Sequence, residues 1–209
     1  MSRGSFILFE GCDRAGKSTQ CSKLVESLNN LGIRAKGLRF PDRTSKIGAM
    51  IQEYLNNKSE QEDHVIHLLF SANRWENIDT MLSLLNNGVT LVVDRWAYSG
   101  VAYSAAKGLD LQWCKGPDVG LLRPDLTFFM DLPIEDAKLR GDYGQERYEN
   151  HLQQSKTYDI FMQLKEPSWE MIDARQSIED IHKKILDITL SCIERCKTES
   201  LNQDLFFIN

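Results

Sequence analysis

Lys17 and Ser18 close a short glycine-bounded loop, Gly11-x-x-x-x-Gly16-Lys17-Ser18, that follows directly on an apolar run from Phe6 to Phe9. This pattern is a phosphate cradle. The glycines allow a tight turn, loop N–H groups face the phosphates, the lysine reaches the β- and γ-oxygens, and the serine hydroxyl meets Mg²⁺. The plain alternative is an ordinary Gly-rich turn between strand and helix. The amphipathic recurrence of Leu24, Val25, Leu28 and Leu31 weighs against it, because a phosphate loop should open a helix. A second candidate is Asp94-Arg95, at the end of the β-branched run 89–94. A carboxylate there can hold Mg²⁺ or its water near the loop hydroxyl, and the adjacent guanidinium can grip a phosphate bidentately. An Asp that only caps the next helix would account for half of that pair.

Three further groupings bear on a second, phosphorylated substrate. Phe40-Pro41-Asp42-Arg43 sets a ring and a guanidinium on one loop, although a strand-ending Pro with a solvated Arg would read the same. Phe70 and Arg74 lie one helical turn apart and point the same way, as a ring and a multi-donor group for a nucleobase would. Taken alone, a core Phe and a solvated Arg is the simpler account of them. Arg140 and Arg147 flank Gly141 and Gly144, a composition suited to a lid that brings charge over a triphosphate. A solvated turn between helices has that composition too. Phosphoryl transfer asks mostly for alignment and charge neutralisation, so the lack of a candidate catalytic His is no obstacle.

The elements that must position these residues can be read from periodicity. Strands are expected over 6–9, 33–40, 89–94, 125–132 and 169–173. Helices are expected over 20–31, 45–58 and 63–86, over 96–107 with an interruption at Ser99-Gly100, over 148–164, and after an N-cap at Ser177. Gly100 costs helix stability, roughly 1 kcal/mol relative to Ala, which suggests close approach of a ligand or a neighbouring backbone. Residues 108–124 read as loop, 134–147 as polar, and the tail residues Leu205 to Ile208 as a segment able to dock. Five strands alternating with helices make a three-layer α/β domain with a mainly parallel sheet, whose ligands gather beyond the strands' C-terminal ends. Gly11 to Ser18, Phe40 to Arg43 and Asp94-Arg95 fall at three such ends, and this is the main reason to read them as one site.

With 209 residues the chain suits a single domain, 1–209, with a lid at about 134–148. A formal net charge of −5 argues against nucleic acid or an anionic membrane as partner, yet the motifs gather Arg14, Lys17, Arg43, Arg74, Arg95, Arg140 and Arg147. An acidic protein that collects cations in its motifs suits a small polyanion. Five cysteines without paired CxxC spacing suggest neither a zinc site nor a disulfide framework. No signal segment or apolar run of membrane length is apparent, so a cytoplasmic location is expected, with nuclear entry left open.

Phe-Glu-Gly-x-Asp-Arg-Ala-Gly-Lys-Ser-Thr-Gln (9–20), Phe-Pro-Asp-Arg (40–43), Leu-Leu-Phe-Ser-Ala-Asn-Arg-Trp-Glu (68–76), Val-Asp-Arg-Trp-Ala-Tyr-Ser-Gly-Val-Ala-Tyr (93–103) and Arg-Tyr-Glu-Asn (147–150) together resemble the thymidylate kinases, closest to eukaryotic members. The resemblance implies a P-loop nucleoside monophosphate kinase fold with a five-stranded parallel sheet flanked by helices. It implies phosphorylation of thymidine monophosphate to the diphosphate by ATP with Mg²⁺, for dTTP synthesis, in a homodimer. A broader pyrimidine deoxynucleoside monophosphate kinase is the alternative, and a P-loop switch protein is disfavoured because no Asn-Lys-x-Asp tetrapeptide is present.

Carried over residue by residue, Gly11, Ala15, Gly16, Lys17, Ser18 and Thr19 hold the ATP phosphates, with Arg140 from the lid, and Ser18 with Asp94 arranges the metal. Asp13 binds the sugar 3′-hydroxyl and Arg14 reaches the phosphoryl group in transfer. Arg43 and Arg95 clamp the acceptor phosphate, Phe70 stacks on thymine and Arg74 bonds a ring carbonyl. Tyr103 crowds the 2′ position, Ser104 meets the base edge, and Phe40, Gly100, Tyr148 and Gln154 complete the acceptor site. Two residues depart from the family pattern: Trp96, where Tyr is usual, and Cys12, where an aliphatic residue is usual. Trp96 is expected to reshape the floor beneath the acceptor phosphate, and Cys12 to pack as a small hydrophobe.

Overall fold

The computed structural model describes residues 2–140, 147–148 and 151–206. Five short strands, β1 (Phe6–Glu10), β2 (Ala35–Arg39), β3 (Thr90–Asp94), β4 (Leu126–Asp131) and β5 (Trp169–Asp173), form a sheet in the order β2-β3-β1-β4-β5. Every neighbouring pair is parallel, as the alternation of strands and helices requires. β1 and β3 are buried at all five positions, which explains why both read as near-continuous apolar runs. β2, at the sheet edge, keeps exposed positions and a weaker pattern.

Alternation divides the core in two. Phe6 and Leu8 point to one face with Leu91 and Val93, where Phe129, Phe161 and Trp169 join them. Ile7 and Phe9 point to the other with Val92, Leu24, Leu28, Phe128, Ile181 and Ile185. The second face is covered by α1 (Lys17–Asn30) and α9 (Ile178–Cys196). The first is covered by α4 (Ile78–Asn86), α5 (Ala97–Ala105) and α8 (His151–Leu164). The remaining helices are α2 (Lys46–Leu55), α3 (Asp63–Trp75), α6 (Leu111–Lys115) and α7 (Ile134–Lys138). Among the described residues no helix is long and apolar enough to cross a membrane.

Four local expectations are revised. The helix expected over 63–86 is two, α3 and α4, because the Asn77 amide donates to the Asn73 carbonyl and breaks the ladder at the joint. α5 runs unbroken through Gly100. The supposed loop 108–124 contains α6 and a 3₁₀ turn at Gly116–Asp118. The polar stretch after Pro133 begins with α7, whereas Gly141, Gly144 and the rest of 141–146 lie outside the described residues. The tail docks as expected: Leu205 is buried and Phe206 meets Tyr98 edge-on, while Phe207 and Ile208 lie outside the described residues.

The register carries these elements to one place. Asp94, at the end of β3, lies beside Phe9 of β1 and Arg39 of β2. The loops that leave β1, β2 and β3 therefore emerge together at the carboxyl edge of the sheet.

Candidate active site

β1 ends in Glu10, and the chain turns at Gly11 with φ 135°, where a Cβ would come within 2.6 Å of the Met130 carbonyl oxygen. The loop closes at Gly16, and α1 begins with neither a side-chain cap nor an acidic residue in its first turn. Its first N–H groups and the positive end of its dipole are thus left for an anion. Lys17 is buried, with Nζ donating to the Cys12 carbonyl at 2.7 Å. Burial, with the charge of Arg95 adding to it, lowers the Lys17 pKa to about 8 against the opposing pull of Asp94 and Asp13. Ser18 Oγ donates to Asp94 Oδ2 at 2.5 Å, and Asp94 Oδ1 is buried without a hydrogen-bond partner. Ala15 is buried and Thr19 exposed at the start of α1.

Every residue expected on the acceptor side except Gln154 lines one cleft. Gln154 stands behind it, accepting from the Asp13 backbone N–H at 3.0 Å and donating to Asp13 Oδ2 at 2.6 Å. Asp13 also accepts from the Tyr103 hydroxyl at 2.9 Å and forms an ion pair with Arg95. Burial would raise the Asp13 pKa, but the charges of Arg95 and Lys17 and these hydrogen bonds hold it below the usual range. Arg95 is fixed at its other nitrogen by the Gly11 carbonyl at 3.2 Å and Ser99 Oγ at 3.1 Å.

Arg74 is buried, not solvated, and Phe70 lines the cleft beside it. The Arg74 guanidinium grips Asp118 with two donors, Nε to Oδ1 at 3.1 Å and Nη2 to Oδ2 at 2.6 Å, which leaves Nη1 for a ligand. A Cβ at Gly100 would meet Arg74 Nη2 at 2.7 Å. The missing side chain is thus explained by a guanidinium, neither a ligand nor a neighbouring backbone. Ser104 Oγ lies 2.8 Å from His67 Nδ1. Phe40 packs edge-on against Trp96 at 4.7 Å between ring centres. Trp96 is a buried core indole, its Nε1 donating to the Leu122 carbonyl at 3.0 Å, and it lines the cleft. Cys12 is buried, and desolvation lifts its thiol pKa to about 12, which keeps it protonated and unreactive at neutral pH.

The two arginines expected in a lid part company. Arg140 donates to the Arg14 carbonyl at 2.8 Å and the Ala174 carbonyl at 2.7 Å, which ties it to the phosphate loop. Arg147 lies over the Tyr54 ring at 4.0 Å and pairs with Glu60 at 2.7 Å. Arg14 has a left-handed backbone, φ 63°.

Two functional carboxylates escaped the sequence reading. Glu10 is fully buried and accepts from Trp96 N–H, Ser99 N–H and Ser99 Oγ at 2.9, 3.1 and 2.5 Å, so it holds the start of α5. Its signal was a charged residue closing an apolar strand. Asp118 is fully buried on the 3₁₀ turn, far from Arg74 in sequence, and no local signal points to it. A third omission, Asn73, accepts from the Asp42 N–H at 2.7 Å and donates to its carbonyl at 3.0 Å, anchoring the 40–43 loop.

Residues 9–185 match the model of the family described as thymidylate kinase. The chain is 50% identical over 194 residues to the thymidylate kinase of Arabidopsis thaliana, covering 93% of this chain and 74% of that one. It is 49% identical over 205 residues to that of Homo sapiens, covering 96% and 97%. The solved thymidylate kinase of Candida albicans, described as having broad substrate specificity, superposes with a TM-score of 0.88 at 35% identity, covering 97% of this chain and 98% of that one.

The Arg74–Asp118 pair is buried on both sides, so removing one partner leaves an uncompensated charge. Asp118→Ala should lower unfolding stability by about 3–5 kcal/mol. It should also raise the KM of the acceptor while the KM of ATP stays constant. Urea unfolding and steady-state kinetics on the same preparation check this, and an unchanged midpoint with an unchanged acceptor KM would show that α3 alone holds Arg74.

Proposed function

The chain belongs to the thymidylate kinase family and phosphorylates thymidine monophosphate with ATP as donor, and from that premise we propose how its residues divide the reaction. The observation that carries the division is the Asp13–Arg95 pair, which joins the phosphate loop to the floor of the acceptor cleft. The loop N–H groups from Gly11 to Ser18, together with Lys17, hold the donor phosphates, and Arg140 steadies that loop from its far side. Arg14 meets the phosphoryl group as it moves. Arg95 and Arg43 bind the acceptor phosphate, whose anionic oxygen is already a competent nucleophile and needs no base. Phe70 takes the base face, Arg74 a ring carbonyl, Asp13 the sugar 3′-hydroxyl, and Tyr103 the space at C2′. We read the whole chain as one kinase domain, with the segment around Arg140 to Tyr148 as its lid.

The residues present fit Mg²⁺. Asp94 Oδ1 is a buried oxygen without a partner, and Oδ2 already orients the Ser18 hydroxyl. Among the described residues no group of three or more His, Cys, Asp or Glu side chains could hold a metal unaided, which suits an ion that takes most ligands from phosphate and water. Bound there, Mg²⁺ would neutralise and orient the donor phosphate oxygens. A homodimer is favoured by exposed Val65, Leu68 and Trp75, spaced along one face of α3, with Met50 exposed on α2. All five thiols are free and buried, which suits a reducing compartment such as the cytosol.

Three outcomes follow from these roles. Asp94→Asn should raise the Mg²⁺ concentration for half-maximal activity at least tenfold, roughly the loss expected on weakening a metal ligand, and an unchanged Mg²⁺ dependence would remove Asp94 from the metal site. Lys17 has a pKa of about 8 in the free protein, and donor phosphates must raise it. ATP binding should therefore take up a proton and weaken about tenfold per pH unit above 8. Calorimetry in buffers of different ionisation enthalpy measures that uptake, and none at pH 8.5 would contradict the lysine's role. Leu68→Asp should yield a monomer by light scattering if α3 forms the dimer face, and an unaltered mass would place the interface elsewhere.

A further inference from the structure

His67 is fully buried between α5 and α6, where its ring makes two hydrogen bonds and the Gly100 carbonyl also approaches it. Its Nε2 lies 2.9 Å from the Cys114 carbonyl oxygen and its Nδ1 lies 2.8 Å from Ser104 Oγ. A carbonyl oxygen can only accept, so Nε2 must carry the proton. Burial and the neighbouring Arg74 charge lower the pKa of the ring and keep it neutral. A neutral ring protonated at Nε2 presents a bare lone pair at Nδ1, so the Ser104 hydroxyl must donate its only hydrogen inward. What Ser104 then offers the cleft it lines is an acceptor oxygen.

We propose that His67 is a positioning residue for base selection: by capturing the Ser104 proton it fixes Ser104 Oγ as an obligate acceptor, which admits a pyrimidine carrying N3–H and rejects one with a bare N3. Thymine and uracil carry that hydrogen; cytosine does not, and would set a lone pair against a lone pair. A serine free to rotate would accept from the first or donate to the second equally well. The relay from the Cys114 carbonyl through His67 removes that freedom. This inference rests on the placement of Ser104 at the base edge within the thymidylate kinase reading.

The test is kcat/KM for dTMP and for dCMP with saturating ATP, in the wild-type enzyme, His67→Phe, Ser104→Ala and the double variant. The phenyl ring fills much of the imidazole's space but accepts no hydrogen bond. Each single substitution should reduce the preference for dTMP over dCMP about tenfold or more, with the KM of ATP unchanged. The double variant should lose no more than either single one, since His67 acts through Ser104. A preference unchanged in His67→Phe, or losses that multiply in the double variant, would overturn the relay and leave His67 a packing residue. A preference unchanged in Ser104→Ala would remove Ser104 from the base edge, and a wild-type enzyme without the preference would remove the base assignment itself. Imidazole ¹⁵N shifts of the unsubstituted protein give a readout that does not depend on any variant folding. They should show the neutral Nε2–H tautomer at pH 7, and an Nδ1–H or doubly protonated ring would refute the proposal.

Discussion

Burial pushes the Asp13 carboxyl pKa up, yet Arg95, Lys17, Tyr103 and Gln154 converge on it and hold it below the usual carboxylate range. That requirement fixes much of the site. Arg95 must extend back under the phosphate loop, so β3 must lie beside β1 with Asp94 level with Phe9. Tyr103 must come from α5, whose start is held by the Glu10 carboxylate through Trp96 and Ser99. Gln154 must come from α8, which packs on the same face of the sheet. The donor side and the acceptor side are thus two ends of one desolvated charge pair. Moving either end would leave the other buried without compensation.

The same logic recurs one layer out. Arg74 can serve a ring carbonyl inside an apolar cleft because Asp118 cancels its charge and holds two of its donors. The ion pair contributes direction more than stability, since desolvating both partners offsets most of the Coulomb gain. Lys17 is the contrasting case. Its hydrogen bond to a neutral carbonyl and its weak charge balance leave the ammonium poorly stabilised until phosphate arrives. One cation is preset for orientation and the other is left to respond to a ligand.

What could be read from the chain alone was whatever depends on local spacing. The phosphate loop, β3 and its terminal Asp94-Arg95, β5 and the Ser177 cap are encoded within a few residues each, and they fold as their patterns suggest. The acceptor cleft was legible through resemblance, because Phe40, Phe70 and Tyr103 come from the loop after β2, from α3 and from α5, which only the folded sheet brings together. Asp118 was illegible for a physical reason: its partner is 44 positions away, and its own neighbours, Gly116, Pro117 and Gly120, carry no periodic pattern. The break between α3 and α4 escaped because apolar periodicity continues across Asn77, and one side-chain amide decides the matter. Gly100 was read with the right question and the wrong neighbour, since a close approach reveals nothing in sequence about which group approaches.

Two of the site's arginines occupy a conformation that side chains normally avoid. Arg14 and Arg95 have φ of 63° and 69°, a region that costs an L-residue roughly 1–2 kcal/mol. Glycine would relieve the backbone at either position but carries no guanidinium. At position 95 the surroundings over-determine the geometry: the N–H donates to the Phe9 carbonyl at 3.0 Å, and the side chain is bound by Gly11, Ser99 and Asp13. The left-handed turn is what lets a residue at the end of β3 send its side chain sideways beneath the loop leaving β1. A relaxed backbone would carry the chain straight on from Asp94 and separate the guanidinium from its carboxylate. Strain at Arg95 and burial at Asp13 are therefore one constraint, and the sheet register that satisfies the second imposes the first.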